Sequence, residues 1–219
     1  MDNNVRNFWK AVTKIILLSM TFISPVIVFA NYHTGYYYGH APPNGVSAYI
    51  RTWNYNFAGQ HFYVNYICVY LSAGFNWWFS TGFCKDYRQN YQLKYFVEKS
   101  DRNGAPGPEW ISSPTPVSGT YYTYFVEKMS GSNWKAYVIG KYSKTKSLNP
   151  YAAADYGALV ETTTSSIRID GSHFNYISAK PGTGDWYLWE DKYNVITPPD
   201  SPYGLTTPHT YEFYAYGGG

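Results

Sequence analysis

Between residues 48 and 216 the chain is a succession of short runs in which apolar and polar side chains alternate with period two, each run closed by a cluster of Gly, Pro, Asn or Ser. That period puts every second side chain on the same face of a strand. A face of this kind is stable only when buried against another layer, so the pattern predicts an all-β protein of antiparallel strands. Strands are expected at Ala48 to Asn54, His61 to Leu71, Trp77 to Cys84, Gln92 to Lys99, Tyr121 to Met129, Trp134 to Tyr142, Gly157 to Thr163, Ser166 to Ile169 and Tyr211 to Tyr216. Beyond the first 30 residues no segment sustains a helical period, and Tyr151 to Tyr156 has room for one turn at most.

The punctuation carries its own expectations. Asn103 to Gly119 holds Pro106, Pro108, Pro114 and Pro116, and Thr197 to His209 holds Pro198, Pro199, Pro202 and Pro208, so both are expected to be loops, because proline cannot donate to a strand ladder. The pentapeptide Tyr-Phe-Val-Glu-Lys occurs at Tyr95 to Lys99 and again at Tyr124 to Lys128. In a strand it sets Phe96 and Glu98 on one face and Tyr95 and Val97 on the other, which suggests two strands of similar environment in one sheet. Asn31 to Asn44 precedes the first expected strand; its His- and Tyr-rich part, Tyr32 to His40, has the composition of a weak metal binder, but such a lead-in is more often a poorly ordered arm and reads as one.

The N-terminus carries Arg6, Lys10 and Lys14, then the apolar run Ile15 to Phe29, then Val28-Phe29-Ala30 with small residues where a signal peptidase cuts. Residues 1–30 are therefore expected to be a signal peptide and residues 31–219 a single β domain, exported to the extracellular space or the periplasm and free of the membrane after cleavage. The remaining chain has 14 basic and 13 acidic residues, a net charge of +1. That balance gives no footprint for nucleic acid. With 26 tyrosines and charged residues only 14% of the chain, its polarity is carried by hydroxyls and amides, which suits contact with polypeptide or glycan. No metal-ligand spacing, phosphate loop, zinc-protease helix or serine-hydrolase elbow is present, so neither a metal nor a cofactor is expected.

Cys68 and Cys84 admit two outcomes in an oxidising compartment. A turn centred near Asn76 would bring them face to face, whereas one centred near Gly74 would leave them about four residues, or about 13 Å, out of step.

Two short segments point to chemistry. Phe79-Ser80-Thr81-Gly82-Phe83 follows an aromatic run, Tyr66-Ile67-Cys68-Val69-Tyr70, and a second segment, Ala158-Leu159-Val160-Glu161, ends an apolar run in a carboxylate 81 residues after Ser80. In order and spacing they resemble the two catalytic strands of the glutamic peptidases called eqolisins. The resemblance extends at low identity over most of the chain, through Tyr91 and Tyr95, Thr115 to Lys128, Trp134 to Lys141 and His173-Phe174-Asn175. It implies a concanavalin A-like β-sandwich, a jelly roll of two packed antiparallel sheets. It also implies that Glu161 is the general base of an acid endopeptidase, taking a proton from the water that attacks the scissile amide. Leu159 shares its face and would restrict water there.

Ser80 departs from the family, which has glutamine at that position to orient the water and stabilise the oxyanion. Serine is too short to do this, and a lost oxyanion donor typically costs about 100- to 1000-fold in rate. Glu98 would compensate if it pointed into the same cleft, giving a pair of glutamates as in the neprosin-like prolyl endopeptidases, which resemble the same sandwich. Gln89 or Gln92 swinging in is the other route; without either, the domain would bind extended chains and not cut them. Trp78, Tyr95, Phe96 and Trp110 are the expected substrate-binding aromatics. The alternative is a non-catalytic carbohydrate- or surface-binding module, for which Trp110, Trp186 and Trp189, lying beside loops, are the tryptophans expected to be exposed.

Overall fold

In a computed structural model, residues 31–38, 43–72, 76–182, 184–190 and 199–219 are described; the expected signal peptide lies outside them. The strands, in chain order, are β1 (Tyr32–Tyr38), β2 (Pro43–Arg51), β3 (Phe62–Tyr70), β4 (Trp78–Asp86), β5 (Leu93–Asp101), β6 (Gly104–Ile111), β7 (Tyr121–Lys128), β8 (Asn133–Val138), β9 (Tyr142–Ser147), β10 (Asp155–Thr162), β11 (Ser172–Pro181), β12 (Tyr187–Leu188), β13 (Gly204–His209) and β14 (Glu212–Tyr216). They form two antiparallel sheets packed face to face, as expected for the sandwich. One is six-stranded in the order β1-β10-β3-β4-β5-β6, and the other is eight-stranded, β13-β14-β11-β2-β7-β8-β9, with β12 paired to β11.

The alternation decides which residues meet between the sheets. Ile67 and Val69 of β3, Phe79 and Phe83 of β4, Tyr95 and Val97 of β5 and Ala158 and Val160 of β10 are buried there. Val46, Ala48 and Ile50 of β2, Tyr124 and Val126 of β7, Trp134 of β8, Phe174 of β11 and Phe213 of β14 meet them from the opposite sheet. Each large apolar side chain so buried stabilises the fold by about 1.5–3 kcal/mol before its entropy cost. The other face of the six-stranded sheet carries a second apolar cluster, Val64, Tyr66, Cys68, Tyr70, Cys84, Phe96 and Leu159.

Several expectations are corrected. The proline-bearing segments are not wholly loops: they contain β6 and β13, and each is the edge strand of its sheet. An edge strand leaves one row of backbone groups unpaired, so Pro108 in β6 and Pro208 in β13 remove no ladder bond that the sheet needs. The segment after Asn31 is not a loose arm; β1 pairs along its whole length with β10, from Tyr32 opposite Thr162 to Tyr38 opposite Tyr156. Trp134 to Tyr142 is not one strand, because Gly140 at φ 69° turns the chain and starts β9. Ser166 to Ile169 forms no strand, and the strand of that region is β11. The paired pentapeptides lie in different sheets, β5 and β7, and face one another across the core, with the Tyr95 and Tyr124 ring centroids 6.1 Å apart.

The cysteines follow the second of their two outcomes. In the β3–β4 hairpin Cys68 stands opposite Ser80 and Cys84 opposite Val64, a register whose midpoint is residue 74. Both thiols are free and buried.

Candidate functional site

The Thr-Gly-Phe segment of β4 has a structural reason for each residue. Thr81 and Phe83 point into the inter-sheet core, where the Thr81 hydroxyl donates to the Phe96 carbonyl at 2.8 Å and the Phe83 ring packs edge-on against Tyr63. Gly82 lies where β3 presses closest: a Cβ there would stand 2.0 Å from the Asn65 carbonyl oxygen and 2.7 Å from Tyr66 Cα. This closeness holds Ser80 and Tyr66 on one continuous surface on the outer face of the six-stranded sheet.

That surface is hollowed into a cleft of about 650 Å³, within the range of ligand sites. Its apolar walls include Tyr37, Phe62, Tyr70, Trp78, Phe96 and Trp110, and its polar groups are Asn31, His33, Ser80, Asp86, Arg88, Glu98 and Glu161. Residues of β1, β10, β3, β4, β5 and β6 contribute because each strand presents its alternate positions to this one face. Of the residues expected from sequence, Glu161, Ser80, Glu98, Trp78, Phe96 and Trp110 line the cleft together. Tyr95 does not. Its ring is buried on the core face among Tyr122, Tyr124 and Tyr142, as the odd-even alternation with Phe96 requires. Gln89 sits in a short 3-10 turn, Tyr87–Gln89, and Gln92 just beyond it, in the β4–β5 connection outside the cleft wall.

Glu98 stands directly across the β4–β5 ladder from Ser80. Burial, and then the charge of Glu161, push the Glu98 carboxyl up to about 7, while a hydrogen bond with Trp78 and the positive charge of Arg88 oppose the rise. Below neutral pH Glu98 is therefore a proton-bearing donor. Arg88 is largely engaged elsewhere, chelating the buried Asp86 carboxylate with Nη2 at 2.5 Å and Nε at 3.0 Å from both oxygens.

Glu161, next to last in β10, lies on the same face and is held from three sides. Asn31 Nδ2 donates to its Oε1 at 2.6 Å, Tyr66 donates to Oε2 at 3.3 Å, and His33 Nε2 lies 3.5 Å from Oε2. Burial, and after it the nearby carboxyl groups of Glu161 and, more weakly, Glu98, push the Tyr66 phenol well up, so it stays a neutral hydroxyl donor. The phenol of Tyr37 is pushed up to about 12, first by burial and then by Cys68, with Glu161 contributing.

Asn31, His33, Tyr37 and Tyr66 line the cleft although none was expected there from sequence. The period-two spacing of positions 33, 35 and 37 marks a strand face, but in so short a run of tyrosines it is masked by composition. Trp189 is also misplaced by sequence: it is only 3% exposed and packs against Tyr156, so no ligand can stack on it. Trp186 is half-buried against Phe125 on the opposite sheet.

No protein-family model matches the chain, and no curated protein does. Solved structures do. Scytalido-glutamic peptidase bound to a transition state analog inhibitor is similar over 85% of this chain and 98% of its own, at a TM-score of 0.62 and 12% identity. The same peptidase with a peptide-based transition state analog gives 0.60 and 11%, with the same coverages. SCP-B, a member of the eqolisin family of peptidases in a complex with the tripeptide Ala-Ile-His, gives 0.58 and 13%, again over 85% and 98%. At these identities the likeness is one of fold, and the chain shares the β-sandwich fold of the eqolisin glutamic peptidases.

Proposed function

We propose that the chain is a secreted acid endopeptidase whose working pair is Glu161 and Glu98, with Ser80 standing where the eqolisins carry glutamine. The observation that carries this reading is the Ser80–Glu98 register. It pairs Ser80 with a carboxyl group that keeps its proton up to about pH 7, in the cleft that Glu161 also lines.

Glu161, as the carboxylate, takes a proton from water while the water oxygen bonds to the scissile carbonyl carbon. Protonated Glu98 donates a hydrogen bond to the oxyanion as it forms, in place of the glutamine side chain. The proton on Glu161 then passes to the amide nitrogen as the C–N bond breaks, which restores the carboxylate. Tyr66 and Asn31 hold that carboxylate through their hydrogen bonds. The aromatic walls suit apolar segments of an extended polypeptide.

The test is hydrolysis of an unfolded protein from acidic to neutral pH by the secreted product, whose N-terminus should be Asn31 once residues 1–30 are removed. Glu161→Gln should abolish cleavage. Glu98→Ala should lower it by about 100- to 1000-fold, the cost of an oxyanion donor. Glu98→Gln, a donor at every pH, should retain cleavage and extend it above neutral pH. Cleavage by the native protein that survives Glu161→Gln would overturn the reading. A second reading, that the cleft holds polypeptide without cutting it, rests on Ser80 itself; silence from the native protein with cleavage gained in Ser80→Gln would favour it.

A further inference from the structure

The N-terminal strand brings a third ionisable side chain to the candidate pair. His33 stands opposite Glu161 in the β1–β10 ladder. Its Nε2 lies 3.5 Å from Glu161 Oε2, and its Nδ1 lies 3.7 Å from Asp200 Oδ2. The imidazole therefore bridges two carboxylates that come from different parts of the chain. The bridge is braced by the backbone: His33 N–H donates to Asp200 Oδ2 at 2.8 Å, and Asp200 N–H donates to the His33 carbonyl at 3.0 Å. Both ring nitrogens face acceptors, an arrangement that suits the doubly protonated imidazolium. Asn31, two residues earlier on the same face, donates to the other Glu161 oxygen.

We propose that His33, oriented by Asp200, is a positioning residue that holds Glu161 in its ionised form and aims it across the cleft, so that β1 completes the site. The inference deepens the peptidase reading and rests on it for its catalytic consequence. The two carboxylates raise the affinity of His33 for its proton against the opposing effect of burial, and the net direction is upward. The charged and titratable groups that bear on the His33–Glu161 pair are Asp200, ahead of β13, Tyr66 and Cys68 on β3, Tyr37 on β1 itself and, beyond Tyr66, Glu98 on β5. Among the described residues, His33 is the side chain that brings a positive charge within ion-pair distance of Glu161 when protonated. Without it, the carboxylate would lose the positive charge beside it and the interaction that favours its ionised form.

The test has two readouts. In the first, NMR follows the His33 imidazole signal, identified by its loss in His33→Gln, in the native protein and in Glu161→Gln and Asp200→Asn. The midpoint should be raised in the native protein and should fall by roughly half a pH unit or more in each variant. In the second, the pH profile of peptide hydrolysis is compared for native and His33→Gln protein. The acid limb should move up by roughly half a unit or more, with the loss at low pH in kcat and KM little changed, and His33→Lys should restore part of it. A His33 midpoint that does not respond to Glu161→Gln overturns the proposal, and so does an acid limb that His33→Gln leaves in place. If the native protein cleaves nothing, the peptidase reading falls, and the titration by itself still decides whether His33 and Glu161 are coupled.

Discussion

Glu98→Gln should make the protein more resistant to unfolding at neutral and alkaline pH while changing little in acid. In the folded chain the carboxyl group of Glu98 is desolvated in the cleft and faces the charge of Glu161, so it keeps its proton up to about 7, against an ordinary value of 4.5. The sign follows from proton binding. Below about pH 4.5 both folded and unfolded chains hold the proton, and this stability is fully present; between 4.5 and about 7 the unfolded chain has released it and the folded chain has not. Stability therefore falls as pH rises through that window. At about 1.36 kcal/mol per pH unit the gap amounts to up to about 3 kcal/mol, a large part of the 5–15 kcal/mol by which domains are typically stable. Glutamine has nothing to titrate and keeps the donor. The assay is urea unfolding followed by tryptophan fluorescence at about pH 4 and about pH 8. The stability difference between variant and native protein should grow in the variant's favour by up to about 3 kcal/mol between those conditions. His33 titrates with the same sign, but it is common to both proteins and cancels in the difference. A difference that stays constant with pH would refute the reasoning and remove the basis for Glu98 as a protonated donor.

Three further outcomes follow from the geometry. Thiol titration of the denatured protein should find both cysteines free, and reductant should leave the thermal midpoint unchanged, because Cys68 and Cys84 face Ser80 and Val64; a shift on reduction would contradict the β3–β4 register. Gly82→Ala should destabilise by roughly 1–3 kcal/mol in urea unfolding, since its Cβ meets backbone 2.0 Å away and must push β3 and β4 apart. Trp189→Ala should cost roughly 3–5 kcal/mol of stability with no selective loss of glycan binding, because that ring is a packing residue against Tyr156; loss of glycan retention at unchanged stability would revive the carbohydrate-binding reading.

Much of the sheet content was legible because a period of two is local. Each of β3, β4, β5, β7 and β10 falls within a residue or two of its expected span. Glu161, Ser80, Glu98, Phe96, Trp78 and Trp110 were reachable for the same reason: alternation sets their faces, and the spacing from Ser80 to Glu161 set the pairing of segments. Tyr95 failed by that rule, since a neighbour of Phe96 cannot share its face. The proline-bearing strands β6 and β13 were not legible, because whether proline is tolerated depends on whether the strand has one neighbour or two. Nor was the fate of the thiols, where a shift of two residues in the turn decides between contact and about 13 Å.

What the sequence determined by itself is the alternation, and with it two distinct faces on each strand, one of them turned to the core between the sheets. Which strands lie side by side is a different kind of information. Glu161 meets His33 and Asn31 across a sequence separation of some 130 residues, because β1 closes the edge of a sheet whose next strand is β10. No local propensity encodes that pairing. It is settled by how the two sheets close over their apolar faces, and that arrangement places His33 and two glutamates around one cleft, with Asp200 set against the histidine.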